Sequence, residues 1–140
     1  MSLIGKDTWN IFVTCQAGFL PGIKIKRMNL IYSAIAIFGM AAVLGSYLLS
    51  HVLQNKEIPK VIALIHGLFA ATGLVLLIIY CLYYTPGPIE SVTVFAIAGM
   101  GGLILIYIDL SGNKIPGWLA VVHGTAAVTG FILLLMFGFG

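Results

Sequence analysis

Residues 58–80, IPKVIALIHGLFAATGLVLLIIY, return as residues 115–137, IPGWLAVVHGTAAVTGFILLLMF, at a constant offset of 57. Ten of the twenty-three aligned positions are identical, among them Pro59 and Pro116, His66 and His123, Gly67 and Gly124, and Gly73 and Gly130. Roughly 20 apolar residues suffice for a helix to cross the hydrocarbon of a bilayer. A proline at the start of such a helix costs nothing, because first-turn N–H groups have no partner within the helix. The stretch therefore predicts two equivalent transmembrane helices. Each carries one imidazole in an apolar setting, and an ionisable residue in lipid points to function.

The rest of the chain is of the same kind. Hydrophobic residues make up 61% of the 140, charged residues 8%, and the mean hydropathy is +1.12, which excludes an ordinary soluble domain. Four predicted spans, about Met28 to Leu53, Val61 to Tyr84, Ile89 to Leu110 and Gly117 to Phe139, leave only short links, and short links make successive helices antiparallel neighbours. No segment alternates with period two over ten residues, so a transmembrane barrel is excluded. The expected fold is an all-α integral membrane protein: a four-helix transmembrane bundle, up-down-up-down, over residues 28–140.

Residues 1–27 stand apart as an N-terminal segment. Trp9, Phe12 and Phe19 with Lys24, Lys26 and Arg27 suggest that it lies at the interface; it does not read as a cleaved signal peptide, because its basic cluster follows the apolar run. Counting Lys6, Lys24, Lys26 and Arg27 on one side against Lys56, Lys60 and Lys114 on the other places the N-terminus in the cytoplasm, as expected of a bacterial inner-membrane protein. The net charge of +3 suits anionic headgroups and brings no nucleic-acid motif with it. Cys15 and Cys81 lie far apart in setting, so neither a disulfide nor a clustered cysteine metal site is expected.

The duplication extends to whole hairpins, repeat 1 over about 28–84 and repeat 2 over about 89–139. In the preceding helices Ala36, Ile37, Gly39, Met40 and Tyr47 match Ala96, Ile97, Gly99, Met100 and Tyr107 at an offset of 60. Two crossings per unit make the repeats parallel, related by an axis along the membrane normal, so His66 and His123 share one depth. Seven residues beyond Pro59 and Pro116, they sit about 10 Å into the bundle. The second and fourth helices are diagonal partners, and the two imidazoles face each other across the axis.

At spacings of three, four and seven the histidines share their faces with Ala63, Ala70 and Gly73 on one helix, and with Ala120, Ala127 and Gly130 on the other. Small residues alone serve close helix packing, but an imidazole among them needs a partner. A flat ligand between the helices meets both conditions. Haem b does so, with His66 and His123 as axial ligands of one iron and the small residues making room for the ring. Its propionates would reach Lys56, Lys60 and Lys114 at the histidine end, with Tyr47 and Tyr107 as hydrogen-bond donors. Met40 and Met100 lie deeper and are expected in the core or against the ring. Gly39, Gly45, Gly99, Gly101 and Gly102 serve either the bundle interior or a homodimer.

Four spans with paired histidines in small-residue faces resemble membrane b-type cytochromes. Larger members of that class place two histidines on one helix and hold two haems, whereas this chain has one histidine on each ligating helix. The resemblance implies one haem per chain and transfer of single electrons, from a quinol to a redox partner. A second reading is a small transporter or proton-coupled channel whose histidines titrate. A third is an assembly subunit whose histidines only hydrogen-bond across helices.

Overall fold

A computed structural model describes residues 27–140. Cys15, Lys24, Lys26 and the interfacial reading of the N-terminal segment lie outside the described residues. Four helices follow: α1 (Arg27–Leu53), α2 (Lys60–Tyr83), α3 (Ile89–Leu110) and α4 (Gly117–Phe139). Each is long and apolar enough to cross a membrane, and among the described residues there is no strand. The boundaries fall where proline dictates, since Pro59, Pro88 and Pro116 each stand immediately before a helix.

The chain is a four-helix bundle with antiparallel neighbours. The seams within the hairpins, α1 with α2 and α3 with α4, are the most extensive; α1 with α4 and α2 with α3 close the ring through lesser seams. That leaves α1 opposite α3 and α2 opposite α4.

The two links between hairpin helices are built alike. Lys56 N–H donates to the His51 carbonyl and Asn113 N–H to Ile108, while Asn55 N–H donates to Val52 and Gly112 N–H to Asp109. These are the paired bonds of a Schellman ending. Its left-handed residue is Asn55 (φ 53°) in one link and Gly112 (φ 74°) in the other. Asparagine and glycine are the residues that tolerate this conformation. Every one of these pairs is separated by 57.

The same offset governs the core. Phe38 of α1 and Phe95 of α3 stack across the axis, ring centres 3.8 Å apart and 5° from parallel. Each ring covers the glycine of its own hairpin: a Cβ on Gly73 would meet Phe38 at 2.8 Å, and one on Gly130 would meet Phe95 at 3.2 Å. Below them Leu77 and Leu134 are fully buried, and Tyr80 meets Phe137 edge-on at 5.8 Å. In lipid, where apolar surface gains nothing from leaving the bilayer, such interdigitation is what holds helices together.

This corrects the offset of 60 for the first and third helices. The structurally equivalent pairs in α1 and α3 are Phe38 and Phe95, Ala41 and Ala98, and Gly45 and Gly102, all 57 apart. Of the residues matched at 60, Met40, Tyr47, Ile97, Met100 and Tyr107 are exposed on the outer surface, Met40 at 55% and Met100 at 67%. The two methionines are therefore neither core nor candidates for contact with a ligand on the axis.

Candidate functional site

His66 and His123 come together on the bundle axis. Their ring centres are 6.3 Å apart and their planes cross at 81°, one ring from α2 and the other from the diagonal helix α4. Each sits about 10 Å beyond the proline that opens its helix, as the rise of 1.5 Å per residue requires.

The rings are held in identical fashion. The Nδ1–H of His66 donates to the carbonyl of Ala41 on α1 at 2.9 Å, and that of His123 donates to the carbonyl of Ala98 on α3 at 2.9 Å. One turn further along, a glycine lets each imidazole lie against the helix backbone. A Cβ on Gly45 would stand 2.9 Å from Cε1 of His66, and one on Gly102 would stand 3.1 Å from Cε1 of His123. Any larger residue there would displace the ring.

This arrangement fixes the tautomer. A carbonyl only accepts, so Nδ1 carries a proton, and in the neutral imidazole the lone pair is then on Nε2. Neither Nε2 has a hydrogen-bond partner among the described residues, and neither is sealed from access. Backbone acceptance at one nitrogen with the other left free is the usual support of a metal-bound histidine. Two imidazoles sharing one metal in line, with bonds of about 2.0–2.1 Å and about 1.1 Å from nitrogen to ring centre, have centres about 6.4 Å apart. The observed separation of the ring centres, 6.3 Å, is of that size.

His66 packs on α1 of its own hairpin and His123 on α3 of its own. Two turns deeper lies the Phe38–Phe95 stack, since Gly73 and Gly130 are about 10 Å along the axis from the histidines.

Of the other residues singled out by sequence, Ala120 is buried and Ala63, Ala70 and Ala127 are half-buried on the faces that carry the histidines. Gly73 and Gly130 are occupied by the phenylalanine rings. Lys56, Lys60 and Lys114 are exposed at the histidine end. Tyr47 is exposed and tilts against His51 at 4.4 Å, and Tyr107 is 73% exposed; neither turns toward the axis. Ala41, Ala98, Gly45, Gly102, Phe38 and Phe95 were missed as parts of the site. The offset of 57, carried one helix back, identifies every one of them.

The backbone satisfies Nδ1 of each imidazole and leaves Nε2. Among the described residues no group of three or more His, Cys, Asp or Glu gathers to hold a metal; the histidines on the axis are a pair. Zinc asks for at least three protein ligands, whereas six-coordinate haem iron takes two axial imidazoles. No protein-family model, curated protein or solved structure matches the chain.

Proposed function

We propose that the chain is a small b-type membrane cytochrome that holds one haem between His66 and His123 and passes single electrons. The observation that carries this reading is the pair of unpartnered Nε2 atoms on rings 6.3 Å apart, each fixed by an Nδ1–H bond to a backbone carbonyl. Bound there, haem would supply a one-electron couple at its iron. The Ala41 and Ala98 carbonyls orient the ligands and make them more basic, and Gly45 and Gly102 give the rings room. Two protein ligands leave no open coordination position, which favours electron transfer over chemistry on a substrate at the metal. Lys56, Lys60 and Lys114 are the cations available to propionates at that end. A quinol as donor, a redox partner as acceptor and a bacterial inner membrane as location complete the proposal.

The interhelical bonds from Nδ1 also suit a subunit whose histidines serve packing alone. The visible spectrum of the chain purified in mild detergent from haem-replete cells separates the two. Sharp reduced bands of a low-spin haem are expected, lost or converted in both His66→Ala and His123→Ala. A colourless wild-type preparation overturns the cytochrome reading, and an unchanged spectrum in either variant overturns the ligand assignment.

A further inference from the structure

Two seams join the hairpins, α1 with α4 and α2 with α3, and the duplication makes them counterparts, with equivalent residues 57 positions apart. They are not equally closed. Toward the histidine end, Leu49 and Leu53 of α1 lie over glycines of α4: a Cβ on Gly124 would meet Leu49 at 3.8 Å, and one on Gly117 would meet Leu53 at 3.7 Å. The counterparts in α2 and α3 make no such contact. A Cβ on Gly67, the partner of Gly124, would have nothing within 4 Å. Ile106 and Leu110, the partners of Leu49 and Leu53, are 40% and 69% exposed. Lys60 stands where α4 has Gly117, and it too is exposed. Of the two seams, α2–α3 is the less extensive.

Packing is what holds helices together in lipid, so the seam with empty space over its glycine is the weaker side of the ring of helices. Gly67 follows His66 directly, which puts that space at the depth of the histidine pair. Lys60 lies seven residues before it, on the same face of α2 and about 10 Å nearer the aqueous end. We propose that the bundle opens on the α2–α3 side, between Gly67 and Lys60, and that this is the lateral entrance by which a flat apolar ring bearing carboxylates reaches His66 and His123. The identity of the entrant rests on the cytochrome reading; the inequality of the seams does not. An apolar ring is carried by the lipid, and on this side it has one weakly packed pair of helices to part. Its carboxylates would stay at headgroup level, where Lys60 offers the opposite charge; the closed seam has a glycine there.

The test has two readouts on the full chain in lipid nanodiscs. The first needs no cofactor: double electron–electron resonance between nitroxides on cysteines, with Cys15 and Cys81 changed to serine. One pair, Leu64→Cys with Ile104→Cys, spans α2–α3; its repeat counterpart, Val121→Cys with Tyr47→Cys, spans α1–α4, and all four positions are exposed. In the haem-free chain the α2–α3 distances should be the more broadly distributed. Equal widths, or a broader α1–α4 distribution, overturn the proposal. The second readout is the rate of haem uptake by the haem-free chain and of haem transfer to excess apomyoglobin. Gly67→Leu fills the open seam as Leu49 fills the other. It should slow uptake and loss by the same factor, about tenfold for roughly 1.4 kcal/mol of added packing, and leave affinity and spectrum unchanged. Leu49→Ala, which uncovers Gly124 and needs no new space, should speed both. Unchanged rates in both variants, or a change in loss without one in uptake, overturn the entrance. A chain that takes up no haem yet shows the unequal widths would sink the cytochrome reading and leave the weaker seam standing; a haem-binding chain with equal widths would sink the entrance alone.

Discussion

Replacing Gly45 with alanine probes the support of the site without touching a ligand. The added Cβ would stand 2.9 Å from Cε1 of His66, where ordinary contacts begin about 0.5 Å further out, so the ring or α1 must move by that much. The His66 Nδ1 bond to Ala41, now 2.9 Å, lengthens beyond useful hydrogen-bond range if the ring takes the whole shift. Loss of such a support around a metal ligand typically costs 10–100-fold in affinity, and the overpacking itself costs about 1–3 kcal/mol. The assay is transfer of haem from the reduced variant to excess apomyoglobin, which should run 10–100-fold faster than from wild type. Gly99→Ala is the internal control, because nothing lies within 4 Å of a Cβ there. Equal transfer rates for Gly45→Ala and Gly99→Ala would refute the reasoning, since each puts a methyl group on a glycine in the first helix of its hairpin and only one meets a histidine.

Gly102→Ala should act in the same direction but more weakly, because its Cβ clears Cε1 of His123 by 3.1 Å; the same transfer assay ranks the two. Gly73→Ala drives a methyl to 2.8 Å from Phe38 and should lower resistance to denaturant by about 1–3 kcal/mol while band positions stay fixed, a spectral shift being the contrary result. Ser91→Ala removes the buried bond from Oγ to the Gly130 carbonyl at 2.9 Å and should cost about 0.6 kcal/mol, at most about 1.7, in an unfolding titration within lipid. Lys60→Gln and Lys114→Gln should each lower the midpoint potential, because a cation beside a propionate favours the electron-bearing state; potentials that do not move would take the propionates away from this end.

How much the sequence reveals depends on what each residue has to announce it. The spans were legible to within about a residue, because prolines and long apolar runs are strong signals in lipid: α3 and α4 begin and end where composition places them. That His66 and His123 meet was legible because the repeat puts both at one depth on diagonal helices. The helices that support the pair were misread. In α1 and α3 the identities at offset 60 are alanines, isoleucines, glycines, methionines and tyrosines, residues so common in membrane spans that chance matches compete with descent. At 57 the identities are Phe38 and Phe95, Ala41 and Ala98, Gly45 and Gly102, Leu48 and Leu105, and Leu53 and Leu110, and the first three pairs face the axis. Facing is what the sequence of a transmembrane helix hides, because lipid and protein interior are equally apolar. The acceptors for Nδ1 are backbone carbonyls, which no side chain at Ala41 or Ala98 signals.

Each hairpin brings a complete half-site: a histidine, the carbonyl that holds it and the glycine that admits it. The only thing neither hairpin has is the second ligand. A group bound by both histidines therefore ties one hairpin to the other through α1–α4 and α2–α3, the seams where direct helix packing is least. A ligand that binds only the docked arrangement stabilises that arrangement by mass action, and it leaves the hairpins themselves, held by the more extensive seams, nearly as they were. Removal of haem should then loosen the docking and spare the hairpins. Hydrogen exchange in nanodiscs reads this directly: amides of α2 and α3 along their shared seam should lose protection in the haem-free protein, while those between α1 and α2 keep it. Equal protection in both forms, or loss concentrated within a hairpin, would mean that the group does not lie between the two repeats.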